Sequence, residues 1–337
     1  MKIFIKGLGS IGQRHIRNIK FLYPKSELFV LKSNKKRFLI SKNFKRLKST
    51  VEKYFKLNVL NSLEELNQIK IDCAFICSPT SKHLEDAKFF LDRGIYVFIE
   101  KPIDSDKKKV SNIKKLYLSN KKIMIGYQMK FNPLIIYLKK ILSSKKYGSP
   151  YYAYIENHES IEKVHPYEDY KKSYTSRKDL GGGVVLGFIH EIDYFLYLFN
   201  EYNVIKKIFL TSKVSKLSID VEDILNASIL LKHKKFRRKL ICNISLNYFQ
   251  TPRSRKIQII FKDKTLYADL NKNTIVFKGD KNEFKKSFNF KSNDIFKREV
   301  SYFLKCVKNK KPIDKKFSLN NGISTFEFSD NLKSQFV

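Results

Sequence analysis

Short apolar runs alternate with longer polar stretches through the first 125 residues of the chain. Five runs are almost continuously apolar, as strands buried on both faces of a parallel sheet are. They lie at residues 3–5, 28–31, 73–77, 96–99 and 123–125. Three polar stretches between them have helical length and periodicity, at residues 13–22, 82–93 and 107–119. This alternation predicts a doubly wound α/β domain over residues 1–125.

The pattern changes after residue 125, without a linker-like composition. Helices are predicted at residues 133–142, from the glycines at 181–183 to residue 199, and at 294–308 and 321–332. Strand-like runs follow one another at residues 151–156, 206–214, 224–231, 239–247, 256–261, 265–270 and 274–277. Because the later runs are separated by hairpin-length gaps, they indicate an antiparallel sheet. We therefore expect a second α/β domain over residues 126–337.

Composition and charge narrow the class of protein. A chain of 337 residues with 42% hydrophobic content suits two domains that each bury a core. The net charge of +36 suggests a polyanion partner, but the cations are mostly Lys and are spread along the whole chain. Base and phosphate recognition favours the planar fork of Arg. We therefore expect no specific nucleic-acid partner, only loose and salt-sensitive adhesion.

The cellular setting is predicted from the same sequence. No apolar run approaches the length of a membrane span, and the first strand begins at once, which leaves no room for a signal peptide. Cys73 and Cys77 lie on one predicted strand, roughly 13 Å apart, beyond the reach of a disulfide. Cys242 and Cys306 are isolated, and no His/Cys group has zinc spacing. We expect a cytoplasmic protein with reduced thiols, no membrane contact and no metal.

A glycine-rich loop stands directly behind the first predicted strand. Gly7, Gly9 and Gly12 have GxGxxG spacing, and an amphipathic helix follows them. The first glycine permits a tight turn, the second lets a pyrophosphate approach, and the third lets helix and strand pack closely. The backbone N–H groups at Ser10 and Ile11 open the helix and are suited to phosphate. The loop predicts a dinucleotide site.

The end of the second predicted strand indicates which dinucleotide binds. An acidic residue usually contacts the ribose 2′-hydroxyl of NAD there, but residues 31–35 contain no carboxylate and do contain Ser33 and two lysines. This favours NADP(H) over NAD(H). Ser78, Pro79 and Thr80 follow the third buried strand, at the edge where the nicotinamide ribose would lie.

Three residues offer the chemistry needed to oxidise a secondary alcohol. That reaction requires a proton acceptor and a group that stabilises the developing carbonyl oxygen. Lys101 follows a buried strand, and His190 and Asp193 lie three apart on a predicted helix, where the carboxylate would orient the imidazole or meet a substrate hydroxyl. Taken singly, Lys101 also fits a solvated loop lysine and His190 a core histidine.

The arrangement of these motifs resembles the Gfo/Idh/MocA oxidoreductases, the family of glucose–fructose oxidoreductase and inositol dehydrogenase. The resemblance spans nearly the whole chain, in order and spacing. Its matching segments are residues 7–15, 78–83, 100–102, 126–133, 181–183, 190–193 and 303–312. It implies a Rossmann domain, then a domain with an open sheet that binds substrate and assembles a homodimer or homotetramer.

The resemblance also implies residue roles in the metal-free oxidation of a sugar, cyclitol or nucleotide sugar. Lys101 would hydrogen-bond the reacting hydroxyl and His190 would serve as general acid/base. Three matching residues join the cofactor site and three others contact the substrate. The first set is Arg14, His83 and Glu100, and the second is Asn132, His165 and Tyr174. The stretch 165–174 is similar to a subgroup associated with bacterial surface-sugar pathways.

One position departs from the family pattern. Many relatives carry Asp one turn before the histidine, where this chain has Gly187. The change removes a hydroxyl-binding or proton-relay group, and we expect it to leave room for a bulkier substrate. Two alternatives to a sugar dehydrogenase follow: a dinucleotide-binding protein or sensor without turnover, supported by Gly187, and a nucleic-acid-binding protein, supported only by charge.

Overall fold

The computed structural model describes residues 1–32, 38–41, 45–164, 168–280 and 282–333. Within them, the chain forms a six-stranded and an eight-stranded sheet, together with a two-stranded ribbon. None of the helices in these ranges is long and apolar enough to cross a membrane. The four cysteines are buried and free, and the described residues hold no His/Cys/Asp/Glu group arranged for a metal ion.

The first sheet is wholly parallel, in the order β5-β2-β1-β6-β7-β8. Its strands and those of the ribbon are β1 (Lys2–Lys6), β2 (Glu27–Leu31), β3 (Phe38–Ile40), β4 (Arg46–Thr50), β5 (Asn58–Leu60), β6 (Cys73–Ile76), β7 (Tyr96–Glu100) and β8 (Ile123–Gly126). The helices between them are α1 (Ser10–Leu22), α2 (Val51–Phe55), α3 (His83–Asp92) and α4 (Lys107–Tyr117). The five predicted strands and three predicted helices are confirmed, while β5 at the sheet edge and the ribbon were not predicted.

The second sheet has the order β10-β11-β12-β9-β13-β14-β15-β16. Its strands are β9 (Tyr152–His158), β10 (Tyr202–Ser212), β11 (Ile224–His233), β12 (Lys239–Asn247), β13 (Ser254–Ile260), β14 (Thr265–Asp269), β15 (Thr274–Lys278) and β16 (Glu283–Ser287). Only the β9–β12 pair is parallel. The helices are α5 (Pro133–Ser144), α6 (Ile161–Val164), α7 (Val184–Gly187), α8 (Ile189–Leu198), α9 (Ser292–Lys308) and α10 (Leu319–Lys333). The predicted fold class, a parallel Rossmann sheet followed by an open, mostly antiparallel one, is confirmed.

Burial differs between the two sheets because helices cover them differently. β6 and β7 are buried along their whole length, as strands covered on both faces must be. Residues alternate in the second sheet: the face toward α5 and α8 is buried, whereas the other face exposes Ile208 and Tyr267. Within the part of the chain that the structure describes, one face of the second sheet therefore carries exposed apolar side chains.

The C-terminal helix α9 packs back on the first sheet. The Phe303 ring lies 5.2 Å from that of Phe75 and 5.5 Å from that of Phe98, centroid to centroid. On the opposite face of the sheet, Leu186 and Ile189 share a buried cluster with Ile99 of β7. Because these two residues flank the junction of α7 and α8, the start of α8 is held against the carboxyl end of β7.

Replacing Phe303 should test how much this packing contributes. Phe303→Ala removes a fully buried ring, so we expect the free energy of unfolding in urea to fall by about 3–5 kcal/mol. Leu116→Ala on α4 is the matched control, because its side chain is 65% exposed and the expected change is below about 0.5 kcal/mol. Equal losses in the two variants would show that α9 does not depend on this contact.

Candidate active site

The glycine-rich loop between β1 and α1 forms an open cradle. A Cβ at Gly7, where φ is +94°, would lie 2.4 Å from the Cys77 carbonyl oxygen, and one at Gly12 would lie 2.0 Å from the Gly7 carbonyl oxygen. At Gly9 the same addition meets nothing within 4 Å. Gly9 caps α1 without a side-chain hydrogen bond, so the first N–H groups of the helix, from Ser10 and Ile11 on, face open space. This arrangement fits a pyrophosphate.

The loop after β6 borders the same edge of the sheet. The Ser78 hydroxyl is buried and has no partner among the described residues, Pro79 precedes a short 3₁₀ turn, and the Thr80 side chain is buried. His83, however, is occupied: its ring nitrogens lie 2.6 Å from the Pro102 carbonyl oxygen and 2.8 Å from that of Ser78. The imidazole thus braces two loops, and its contact with the cofactor stays a prediction.

Glu100 also has partners within the protein. Its Oε1 lies 2.6 Å from Nε2 of His15, on α1, and its Oε2 accepts the backbone N–H of Lys101 at 3.1 Å. Both oxygens are therefore engaged inside the protein, and the predicted contact of Glu100 with the cofactor stays a prediction. The carboxylate ties the end of β7 to the helix that follows the glycine-rich loop.

Two further predicted cofactor residues complete this side of the site. The Arg14 guanidinium lies 4.4 Å above the Phe296 ring of α9, so this side chain stacks between α1 and α9. Ser33 lies outside the described residues, and so does most of the stretch that was expected to distinguish NADP from NAD.

Lys101 and His190, distant in sequence, come together at the carboxyl end of β7. Lys101 Nζ donates to the Gly187 carbonyl oxygen at 2.9 Å. Burial lowers the pKa of Lys101, while the negative charges of Glu100 and Glu191 act to raise it. The His190 ring is buried, and neither nitrogen has a partner among the described residues. Burial, and then the positive charge of Lys101, lowers the pKa of His190 well below its ordinary value. The imidazole is therefore neutral near pH 7.

Asp193 does not contact this pair. Its Oδ1 accepts hydrogen bonds from Lys130 Nζ at 2.7 Å, Asn321 at 2.9 Å and Thr325 at 3.3 Å. Neither nitrogen of His190 has a partner among the residues that the structure describes, so no hydrogen bond from Asp193 orients the imidazole there; a contact of Asp193 with a substrate hydroxyl stays a prediction. Its carboxylate neutralises the buried Lys130 ammonium, because an unpaired ion at that depth would be costly.

The three predicted substrate residues have different outcomes. Asn132 caps α5, since its Oδ1 accepts the Leu134 N–H at 2.8 Å, and its contact with the substrate stays a prediction. Tyr174 lies near Glu100: burial raises its pKa to about 12, with smaller contributions from the charges of Glu100 and Glu168. His165 lies outside the described residues.

The position that departs from the family pattern is filled. A Cβ at Gly187 would lie 1.8 Å from the Tyr248 hydroxyl oxygen. Tyr248 is buried and donates this hydroxyl to the Gly183 carbonyl oxygen at 2.8 Å. The expectation of extra room for a bulkier substrate is therefore wrong, because a tyrosine from β12's end occupies the space.

Two charged neighbours of the pair were not predicted from the sequence. Glu191 is buried on α8, and its Oε1 accepts Nε–H and Nη2–H of Arg255, each at 2.7 Å. The charge of Arg255 helps to lower the pKa of His190, and that of Glu191 raises the pKa of Lys101. A second carboxylate in this largely apolar helix, directly after His190, is the sequence signal that would have indicated this pair.

Comparison with known proteins supports the N-terminal assignment directly. Residues 1–127 match the model of the GFO_IDH_MocA family, described as an oxidoreductase family with an NAD-binding Rossmann fold. Inositol 2-dehydrogenase of Rhizobium meliloti (strain 1021) is 26% identical over 175 residues, which cover 51% of this chain and 50% of the relative. An uncharacterized oxidoreductase, YrbE of Bacillus subtilis (strain 168), is 24% identical over 152 residues, 44% of this chain and 41% of the relative. The matched segments thus span half or less of these curated relatives.

Solved structures share the fold over nearly the whole chain. UDP-N-acetylglucosamine 3-dehydrogenase GnnA from Acidithiobacillus ferrooxidans superposes with a TM-score of 0.74 at 17% identity, covering 99% of this chain and 96% of that one. Levoglucosan dehydrogenase, solved with NADH and levoglucosan, gives 0.78 at 13% identity, covering 98% and 96%. Residues 1–127 of this chain thus match the Gfo/Idh/MocA oxidoreductase family with its NAD-binding Rossmann fold, and the whole chain shares its fold with these solved dehydrogenases.

Proposed function

We propose that this protein is an NAD(P)-dependent dehydrogenase that acts reversibly, and without a metal, on a hydroxyl or keto carbon. The substrate class is a sugar, a cyclitol or a nucleotide sugar. The observation that carries the proposal is the meeting of Lys101 and His190 at the carboxyl end of β7. Relatives named for inositol, UDP-N-acetylglucosamine and levoglucosan support a polyhydroxylated substrate.

The two side chains divide the proton chemistry between them. His190, kept neutral by burial and by Lys101, accepts the proton of a substrate hydroxyl when the alcohol is oxidised and returns it in the reverse direction. Lys101 donates a hydrogen bond to the same oxygen and stabilises its negative charge. The chemistry that nicotinamide would supply there, when bound, is hydride transfer. The cradle at Gly9 and the partnerless Ser78 hydroxyl are the protein groups that would hold the dinucleotide.

We infer NADP(H) to be the preferred cofactor. The support is the sequence of residues 31–35, which offers lysines and a serine but no carboxylate to a ribose 2′-position. The bacterial surface-sugar setting rests on the resemblance of residues 165–174 alone, and the cytoplasmic location rests on the sequence. A homodimer or homotetramer through the open face of the second sheet is part of the proposal, supported by the exposed Ile208, Leu210 and Ile241 on that face.

One specific observation favours a second candidate, a dinucleotide-binding protein or sensor without turnover. Gly187 provides no carboxylate beside the pair. The two candidates separate in one assay: both enhance the fluorescence of NADPH, but only the dehydrogenase oxidises members of a panel of sugars, cyclitols and nucleotide sugars. A nucleic-acid-binding protein would do neither.

Substitution of Gly9 should separate cofactor binding from folding. Gly9→Ala places a methyl group in the open cradle, so we expect NADPH and NADH to bind about tenfold more weakly or worse, measured by nicotinamide fluorescence. The midpoint of thermal unfolding should stay within about 2 °C. Gly12→Ala is the contrasting variant and should fail to fold stably, since its Cβ meets backbone at 2.0 Å. Unchanged affinity in Gly9→Ala would place the dinucleotide elsewhere.

The catalytic pair should be separable from cofactor binding. Lys101→Met and His190→Gln should each lower kcat by about 100-fold or more, because each removes a group that acts on the reacting oxygen. NADPH affinity should change by no more than about threefold. Lys108→Met, an exposed lysine of α4, is the control and should retain full activity. If both variants of the pair keep wild-type kcat, the assigned roles are wrong.

The pH dependence should follow the depressed pKa of His190. Oxidation requires the neutral imidazole, so the midpoint of the acid limb of kcat/KM should lie at a pH below 6.5, the ordinary pKa of histidine. The free energy of unfolding depends on pH in the same direction. The reason is that the unfolded chain binds this proton as the pH falls through 6.5, whereas the folded chain binds it only at lower pH. The His190-dependent part of stability is thus present above pH 6.5 and is lost as the pH falls. An acid limb above pH 7 would contradict this assignment.

A further inference from the structure

We propose that Tyr248 is a positioning residue for Lys101, which it controls through the one-turn helix α7, so that a backbone carbonyl takes the place of a carboxylate beside the amine. The inference deepens the proposed function and rests on it for its kinetic readouts. It assigns to Tyr248 a role that neither the motifs nor the pairing of Lys101 with His190 indicates.

The first link is between Tyr248 and the start of α7. Tyr248 follows β12 and is buried, and its hydroxyl donates to the Gly183 carbonyl oxygen at 2.8 Å. The same oxygen accepts the Gly187 backbone N–H at 2.8 Å. The tyrosine therefore contacts the acceptor that closes the single turn of α7.

The second link is between the end of α7 and Lys101. The Gly187 carbonyl oxygen accepts Lys101 Nζ at 2.9 Å. The other end of α7 is held by Glu222, whose backbone oxygen accepts the Val184 N–H at 3.0 Å and whose Oε1 accepts the Val185 N–H at 3.3 Å. With its start fixed on Glu222 and Tyr248, the four-residue helix presents one carbonyl to the amine.

The third link is the exclusion between Tyr248 and any side chain at residue 187. The added Cβ would lie 1.8 Å from the Tyr248 hydroxyl oxygen, but 3.0 Å from the ring carbon that bears it. The clash is thus almost entirely with one oxygen atom. Removing that oxygen makes room for a methyl group after a shift of a few tenths of an ångström.

The charges around Lys101 make its neutral acceptor important. Glu100 from its own strand, His190 and Glu191 from α8, and Arg255 from β13 face the amine. Burial lowers the pKa of Lys101, Arg255 lowers it further, and Glu100 and Glu191 oppose this. A carbonyl that accepts from the ammonium form favours that form. Displacing the Gly187 carbonyl should therefore lower the pKa of Lys101 further.

The kinetic test is a double-mutant cycle on the full chain. Tyr248→Phe should lower kcat about tenfold and leave KM for the substrate within about twofold. Gly187→Ala should lose more than Tyr248→Phe, because its Cβ collides with the hydroxyl. The double variant should be more active than Gly187→Ala alone, since the second change removes the obstacle created by the first. Additive losses would overturn the proposal, and the Tyr248→Phe and double variants still decide if Gly187→Ala does not fold.

A second readout needs no substrate. The rate of Lys101 acetylation by acetic anhydride, followed by peptide mass spectrometry across pH, reports the fraction of free amine. Its midpoint should move to lower pH by about half a unit in Tyr248→Phe. Tyr96→Phe is the matched control, because Tyr96 also donates to a backbone carbonyl, that of Lys311, at the opposite end of β7. This variant should leave the midpoint of the acetylation profile unchanged.

The two readouts distinguish the inference from the proposed function. If the wild-type protein oxidises no member of the panel of sugars, cyclitols and nucleotide sugars, the proposed function is wrong. The acetylation profile still tests the positioning of Lys101 in that case. An unchanged profile in Tyr248→Phe overturns the positioning role even if the dehydrogenase activity is present.

Discussion

The buried contact between Glu100 and His15 is the constraint on which the site depends. It joins the end of β7 to α1, and α1 begins at the glycine-rich loop. Because Lys101 follows Glu100 directly and donates its backbone N–H to the same carboxylate, the position of the amine is fixed relative to the cradle. Parallel strands alone would place the two features at one edge of the sheet. The carboxylate–imidazole contact determines how they lie relative to each other.

Two buried cations near the site are each paired with a carboxylate. Lys130 is neutralised by Asp193, and Arg255 by Glu191, each at 2.7 Å. Such pairs contribute little net stability once desolvation is subtracted, but breaking one would leave a costly buried charge. His190 retains two nitrogens without partners among the described residues. Lys101 contacts only a neutral carbonyl through its amine there. These two ion pairs are thus satisfied within the fold, whereas the His190 ring nitrogens have no partner there.

The sequence indicated the fold and the central pair well, because both depend on local patterns. Continuous apolar runs predicted β1, β2, β6, β7 and β8, whereas β5 has only three residues and no comparable run. Residue type was a poorer guide to contacts. Motif position predicted that Glu100 and His83 contact the cofactor, but it did not indicate their tertiary partners within the protein.

The residues that were missed share one physical reason. Tyr248 and Arg255 reach the pair from strands of the second sheet, about 60 residues beyond His190 in the chain. No local spacing encodes a contact across antiparallel strands and a helix. In the sequence, Gly187 indicated only the loss of a carboxylate. The position of the Tyr248 hydroxyl shows that the space beside Gly187 is occupied.

The large positive charge affects how strongly anionic ligands are attracted to the protein more than it affects which ligand the protein selects. A net charge of +36 attracts any phosphate-bearing molecule, and this attraction weakens as salt screens it. The cradle at Gly9 works at contact distance, through backbone N–H groups that salt screens far less. Raising the ionic strength should therefore weaken the general attraction more than it weakens specific binding at the cradle. Discrimination between a dinucleotide and another polyanion has to come from the loop geometry, because the lysines are distributed over the whole chain.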